Sequence, residues 1–345
     1  MKTHAIIPIF LPHIGCPHNC VFCNQRTITA RQHPPTGKQM RDIIDRNLST
    51  IAEAGIEIHN REIAFFGGSF TGIPLKMQQE YLSIASEYKS KGKIGKIRLS
   101  TRPDYIDEYI LSYLREYTVD LIELGVQSFN PEVLRMSCRG HDRDSIYESS
   151  FLIKENGIQL GIQLMVGLPG TSYERDIDSA RETVKISPDV TRLYPTVILH
   201  GTRLHDLYLS GAYKPLPLEE MVKTVKDMYR IIDREGINII RVGLKSTDLI
   251  NDSGIMSASG YHPAFRQLVE GEIAREDLES QLIGHMNDNN PVKVEFLCNT
   301  VSFSNMVGNK KSNRIFFNQK YPKVQFKFRV DNNLPKGTYI ARIMV

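Results

Sequence analysis

Cys16, Cys20 and Cys23 place three of the five cysteines of this 345-residue chain within eight residues near its start. Thiolate is a soft ligand that selects zinc, copper(I) or iron–sulfur clusters, and cysteines separated by three and then two residues can turn their sulfurs inward from a single loop. The ligand count decides what the loop can do. A structural zinc site closes with four ligands, so His18 or the distant Cys138 would have to complete one here. A cubane cluster held by three cysteines leaves one iron without a protein ligand, and that iron is a place for chemistry. On the loop alone, zinc and cluster both stand.

Other candidate residues fall where apolar runs end. Residues 62–66 run into Gly67-Gly68-Ser69-Phe70-Thr71, and adjacent glycines at a strand end allow close backbone approach to a ligand or a positive φ, as well as an ordinary tight turn. Three further polar segments are Ser100-Thr101-Arg102-Pro103-Asp104, Glu123 to Ser128 followed by Arg139-Gly140-His141, and Gln163 to Gly170. Glu123 and Gln127 are four apart, so strand alternation points them to the same side. Inside a barrel each needs a partner, supplied by a bound ligand or by a structural hydrogen-bond network.

These residues need elements to hold them. Residues 5–10 form a continuous apolar run, a buried strand that delivers the chain into the cysteine loop. Residues 38–53 carry Ile43, Ile44, Leu48 and Ile51 at helical spacing. The pattern then repeats: helix 75–90, strand 96–101, helix 104–117, strand 121–127, helices 130–136 and 143–156, strand 159–166, helix 173–186 and strand 190–195. Alternation at this interval implies parallel βαβ units whose right-handed crossovers curl the sheet toward an open (β/α)6 barrel. Sites in such a barrel gather at the C-terminal ends of the strands. Helix 218–235 and strand 238–242 follow and read as packing.

The bulk numbers narrow the class. A hydrophobic fraction of 41% supports a globular core, and 43 basic against 39 acidic residues give a net charge of only +4. Any nucleic-acid surface must therefore be local. Unevenly clustered cysteines do not read as a disulfide framework. The apolar run 5–11 is short, contains Pro8 and stops at Pro12, so it is neither a signal segment nor a membrane span. A cytoplasmic protein without a membrane partner is the expectation.

The spacing C-x3-C-x2-C with Phe22 before the last cysteine resembles the radical S-adenosylmethionine (SAM) enzymes. Phe66-Gly67-Gly68-Ser69-Phe70, Thr101-Arg102-Pro103-Asp104-Tyr105, Glu123 to Ser128, Arg139-Gly140-His141, and Tyr194-Pro195-Thr196 with Gly201-Thr202 occur in order. Together they resemble the radical SAM core of the Elongator catalytic-subunit family, which modifies wobble uridines of tRNA, over about residues 5–245. Oxygen-independent coproporphyrinogen oxidases are more distantly similar, sharing the cysteine spacing and the positions of Gln127 and Arg139.

The resemblance implies a partial (β/α)6 TIM-like α/β barrel carrying a [4Fe-4S] cluster on Cys16, Cys20 and Cys23, with SAM on the open iron. It implies SAM contacts from Gly67, Gly68 and Ser69 at the methionyl end, from Gln127 and Arg139, and from Phe22 in the cluster loop. Reduced by a flavodoxin- or ferredoxin-type donor, such a site cleaves SAM to methionine and a 5'-deoxyadenosyl radical that takes a hydrogen from substrate, here expected to be tRNA. Tetrapyrrole chemistry and a zinc-bound, non-catalytic RNA-binding protein are the alternatives. Two positions depart from the pattern: Ser100 stands where the relatives carry glutamate, and Gln163 where the coproporphyrinogen enzymes carry aspartate. Nothing comparable to the family's acetyltransferase domain is expected in the roughly 100 residues after the core, so its acetyl-dependent step cannot simply be carried over, and use of acetyl-CoA stays open.

The core is expected at 1–245, a helical connection at 246–290 and a small α/β domain at 291–345. In the last, strand 293–297, helix 302–307, the turn Gly308-Asn309-Lys310-Lys311, helix 312–320, and strands 323–330 and 338–345 are similar to a KH-type RNA module, whose G-x-x-G loop clamps nucleic-acid backbone. Lys311 occupies the second glycine position. Lys293, Lys310, Lys311, Arg314, Lys320, Lys323 and Lys327 make this the most basic segment; a small capping domain with a solvated lysine pair is the plainer reading.

Overall fold

The computed structural model describes residues 4–11, 16, 19–23, 33–244, 260–285 and 293–344. Seven strands, β1 (Ala5–Leu11), β2 (Arg61–Gly67), β3 (Lys96–Thr101), β4 (Leu121–Gln127), β5 (Gln159–Val166), β6 (Val190–Pro195) and β7 (Asn238–Val242), form one sheet in sequence order. Every neighbouring pair is parallel. Residues 238–242 therefore extend the expected barrel by a seventh strand rather than merely covering it.

Helices α1 (Gly37–Glu53), α2 (Leu75–Ser90), α3 (Glu108–Glu116), α4 (Pro131–Met136), α5 (Arg143–Glu155), α6 (Tyr173–Ile186), α7 (Arg203–Leu209) and α8 (Leu218–Arg234) fill the crossovers. Their starts are chemically specified. Thr36 and Gln39 exchange hydrogen bonds of 3.3 and 2.9 Å in a capping box at α1. Asp107, Asn130, Asp142, Ser172 and Thr202 cap α3 to α7 by accepting from orphan backbone N–H groups.

The sheet has an apolar face and a polar one. Ile63 and Phe65, Ile97 and Leu99, Ile122 and Leu124, and Leu160 and Ile162 belong to the main core with Met40, Tyr81, Leu82, Ile146 and Met228 from the helices. The alternating residues of the other face include Glu62, Arg98, Glu123 and Arg192, all buried. Arg98 donates to Glu62 and, at 3.1 Å, to Glu123; Arg192 donates to Glu123 at 3.0 Å. Burial alone would raise the Glu62 pKa, but the adjacent Arg98 guanidinium outweighs it and holds the carboxyl below its ordinary value.

A second core follows. Helix α9 (Phe265–His285) packs Phe265 and Val269 on the main core, and Ala274, Leu278 and Leu282 on a second cluster with Val294, Phe296, Phe317 and Phe326. That cluster belongs to β8 (Lys293–Cys298), α10 (Phe303–Val307), α11 (Ser312–Lys320), β9 (Gln325–Val330) and β10 (Ile340–Met344). The order is β10-β8-β9, with β8 and β9 parallel and β10 antiparallel to β8. Of the expected connection 246–290, residues 246–259 and 286–290 lie outside the described residues. Phe296, Phe326 and Ala341 face the core; by alternation Lys293, Glu295, Lys327, Arg329 and Arg342 lie on the opposite face. That face carries four cations against one carboxylate, Glu295, which lies 2.9 Å from Arg329.

Between α10 and α11 the chain turns through Gly308–Lys311. Gly308, Lys310 and Lys311 have φ of 80°, 50° and 65°. Lys311 thus adopts the left-handed conformation a glycine would enter without strain, although its side chain departs from the G-x-x-G pattern.

Candidate functional site

One cavity opens at the C-terminal ends of the strands. Its walls include all nine residues singled out above: Cys16, Cys20, Cys23, Phe22, Gly67, Gly68, Ser69, Gln127 and Arg139. Ser100, Thr101, Arg102, Glu123, Gly125 and Gln163 complete the lining. Residues up to 147 apart in sequence meet here because each parallel strand ends at the same rim.

The cysteine loop is anchored beside the rim. The Val21 N–H donates to the Ser137 carbonyl at 3.1 Å, and the Leu204 N–H to the Val21 carbonyl at 2.7 Å. Val21 is fully buried with Ile198, Leu204 and Tyr213. These contacts fix the loop against α4 and α7. His18 lies outside the described residues. Cys138, the other proposed fourth zinc ligand, accepts a hydrogen bond from exposed Arg203 at 3.3 Å and lines a different cavity, with Leu134, Arg135 and Gly140. Among the described residues, no three His, Cys, Asp or Glu side chains converge as a single metal ion needs.

Gly67 has a structural reason of its own. Its φ is 120°, and a Cβ there would fall 2.0 Å from the Leu11 carbonyl oxygen. The end of β2 can lie against the residue that leads into the cysteine loop only without a side chain at this position.

Gln127 ends β4 at φ 71°, where the β4–β5 register shifts between Leu124 and Gln127. A non-glycine residue in this region is strained, and such strain gathers at functional sites. Its Oε1 accepts from Gln163 Nε2 at 3.3 Å, so the two amides form one pair. A Cβ on Gly125 would lie 3.0 Å from Gln127 Nε2; the glycine makes room for the amide. Glu123, by contrast, already has its partners in Arg98 and Arg192, so the structural network supplies what a ligand was considered for.

Two arginines border the cysteines. Arg139 donates from Nη1 to Cys20 Sγ at 3.0 Å and from Nη2 to the Gly125 carbonyl, and its guanidinium lies 6.0 Å from the Phe22 ring centre. Arg102 makes a two-pronged pair with Asp104 at 2.9 and 3.0 Å and donates to the Arg139 carbonyl. Burial works against the Arg102 charge, but Asp104 outweighs it and raises the pKa above its ordinary value; Cys16 and Cys20 act in the same direction. Among the described residues, buried Arg102 Nη1 and Arg139 Nε have no hydrogen-bond partner. The sequence signal for Arg102 was its place directly after β3 in the Thr-Arg-Pro-Asp segment, which periodicity alone does not rank as functional.

His141, two residues beyond Arg139, is buried; desolvation, with Arg139 and Arg102 nearby, pushes its pKa down to about 3 and keeps the imidazole neutral. Beyond β5, Asp176 accepts from Thr171 Oγ1 at 2.7 Å and from the Gly167 N–H at 3.4 Å, while the Tyr213 hydroxyl donates to the Gly167 carbonyl at 2.7 Å. These bonds hold the turn that follows the strand carrying Gln163. Burial pushes Asp176 up to about 7, against the two hydrogen bonds.

The cavity suits a cysteine-ligated cluster on an observation of its own. The Arg139 guanidinium aimed at the Cys20 sulfur, with buried N–H groups of Arg102 and Arg139 lacking a partner among the described residues, matches an acceptor-rich anionic group better than neutral thiols.

Comparison with known proteins gives the family and the fold. The Radical SAM superfamily model matches residues 11–182, and the Radical SAM C-terminal domain model matches residues 188–275. The tRNA uridine(34) acetyltransferase of Methanocaldococcus infernus is 26% identical over 258 residues, covering 64% of this chain and 48% of the relative. Elongator complex protein 3 of Homo sapiens is 27% identical over 257 residues, covering 64% and 47%. The solved structure of archaeal Methanocaldococcus infernus Elp3 with an N-terminal deletion aligns with a TM-score of 0.63 at 20% identity, over 80% of this chain and 64% of that one. The chain spans about half the length of these curated relatives. Among the described residues, no helix is long and apolar enough to cross a membrane.

Proposed function

This chain belongs to the radical SAM superfamily, and from that premise we propose that it holds a [4Fe-4S] cluster on Cys16, Cys20 and Cys23 and uses SAM to modify tRNA. The observation that carries the reading is the convergence of the three cysteines, the Gly67-Gly68-Ser69 turn, Gln127 and Arg139 on one cavity. When bound, the cluster and SAM supply the reductive cleavage that yields a hydrogen-abstracting 5'-deoxyadenosyl radical, with the electron coming from a flavodoxin- or ferredoxin-class donor.

The chain's own residues bind, orient and exclude water. Cys16, Cys20 and Cys23 ligate iron. The Gly67–Gly68 backbone admits the methionyl end closely, and Ser69, buried at the same turn, offers a hydroxyl. Gln163 presents an amide donor and acceptor to the ribose and amino groups where the coproporphyrinogen enzymes carry aspartate, and Gln127 adds its amide from the position those enzymes share; the pocket therefore reads these groups by hydrogen bonding rather than charge. Ser100 does the same on β3. Phe22, stacked against Arg139, shields the loop from water.

The tRNA part of the reading is supported by the names of the relatives, and by the four-cation face of the second sheet with its Gly308–Lys311 turn. Such surfaces fit phosphate backbone, and a KH-like use of the turn belongs to the same reading. Anaerobic reconstitution should load close to four irons and four sulfides per chain and give reductive SAM cleavage, both abolished in the Cys16→Ala/Cys20→Ala/Cys23→Ala variant. Nucleoside analysis should find a modification absent from the tRNA of a deletion strain. A zinc-only protein, or SAM cleavage surviving in the triple variant, would sink the cluster; unchanged tRNA nucleosides together with tetrapyrrole binding would move the substrate to the porphyrin class.

A further inference from the structure

Arg139 is 6% exposed and Arg102 3%, so both charges are held out of water. A buried cation is costly unless paired. Arg102 is paired through Asp104. Arg139 has no carboxylate partner among the described residues; its acceptors are Cys20 Sγ and the Gly125 carbonyl. A guanidinium spent on sulfur is compensated when that sulfur is a thiolate, and most fully when it belongs to a group with net negative charge.

The two arginines also act as one unit. Arg102 donates to the carbonyl of Arg139, fixing the backbone that aims Nη1 at Cys20. The remaining buried N–H groups, Arg102 Nη1 and Arg139 Nε, belong to side chains that line the same cavity as the three cysteines.

We propose that Arg139, positioned by Arg102, sets the reduction potential of the cysteine-ligated cluster by an N–H···S hydrogen bond to Cys20 and a second adjacent positive charge. The inference rests on the cluster reading above, and it gives Arg139 a role distinct from the SAM contact that resemblance assigns. Reduction adds one electron, from an external one-electron donor, to a group that is already anionic; no bond is made or broken in that step. Positive charge and hydrogen bonds to the sulfurs stabilise the reduced form more than the oxidised one, which raises the potential.

The test uses the anaerobically reconstituted full chain and its Arg139→Gln, Arg139→Lys and Arg102→Gln variants. Iron and sulfide content is measured first, and failure of the wild type to load would refute the cluster reading itself. Midpoint potentials then follow from EPR-monitored reductive titration without substrate, alongside SAM dissociation constants. At the wild-type midpoint, Arg139→Gln should show at least a tenfold lower ratio of reduced to oxidised cluster, a shift of about 59 mV for one electron. Arg139→Lys, which keeps the charge but not the fork, should shift less, and Arg102→Gln should shift in the same direction. Loaded variants with the wild-type midpoint and weakened SAM binding would overturn the proposal in favour of a SAM contact. Loss of the cluster from both Arg139 variants, with a wild-type midpoint in Arg102→Gln, would also overturn it, leaving the arginines a role in holding the loop.

Discussion

Asp176 shows how far one residue can set the conditions under which the site holds its shape. Its carboxyl ionises near 3.8 in an ordinary setting and at about 7 when buried in the fold. Between those values the unfolded chain releases its proton while the folded chain keeps it, so stability falls as pH rises through that window and the full loss persists above it. About three pKa units at 1.36 kcal/mol each correspond to a penalty on the order of 4 kcal/mol. Asp176→Asn should therefore raise stability at pH 8 by several kcal/mol and leave it little changed at pH 3; urea unfolding at the two pH values measures both, and an equal effect at the two would count against the assignment. At this scale much of the cavity was legible. Cys16, Cys20, Cys23, Gly67, Gly68 and Ser69 stood out because cysteine spacing and paired glycines at a strand end are unusual against apolar surroundings, while Phe22, Gln127 and Arg139 were singled out by the resemblance to radical SAM enzymes. The Glu62–Arg98–Glu123–Arg192 network was not legible, since a charged residue within a strand pattern does not reveal which neighbouring strand neutralises it; Arg102 was visible as part of the polar segment after β3, but its bonds to Asp104 and the Arg139 carbonyl were not.

The strands and helices themselves followed from period and capping, because each parallel strand is a short apolar run and most helices begin at a side chain that accepts from the backbone. Their pairing was less accessible. The register shift that turns Gln127 into the left-handed region depends on β5 lying beside β4, and the membership of β7 in the main sheet depends on its contact with β6. The small sheet illustrates the same limit, since alternation along β8, β9 and β10 is visible in sequence but their order is not. That order gathers Lys293, Lys327, Arg329 and Arg342 on one face around Glu295. If this face contacts phosphates, Lys293→Gln and Lys327→Gln should each reduce the slope of log affinity against log salt for tRNA by about one, and weaken binding to different tRNAs alike. Filter binding across a salt series reads this directly, and unchanged slopes would remove the face from the interface.

For the molecule as a whole, α9 makes the two cores dependent on each other. One 21-residue helix, about 30 Å long at 1.5 Å per residue, supplies apolar side chains to both, so wild-type thermal unfolding should be a single calorimetric transition. Gly271 lies between the two contact regions, and its carbonyl accepts from Asn313 Nδ2 at 2.8 Å. Gly271→Pro, which costs about 3 kcal/mol in a helix interior, should split the transition in two; a single lowered transition would show that the cores communicate through other contacts. The main sheet has a further consequence. Its first and last strands, β1 and β7, are the two ends of the order and do not pair with each other among the described residues. The barrel interior is filled by side chains, so a ligand meets the fold at the rim rather than through it. A closed ring of strands would wall that rim on every side, whereas this sheet leaves the wall interrupted between β1 and β7, a side from which a nucleotide within a longer chain can approach the rim without an end being threaded.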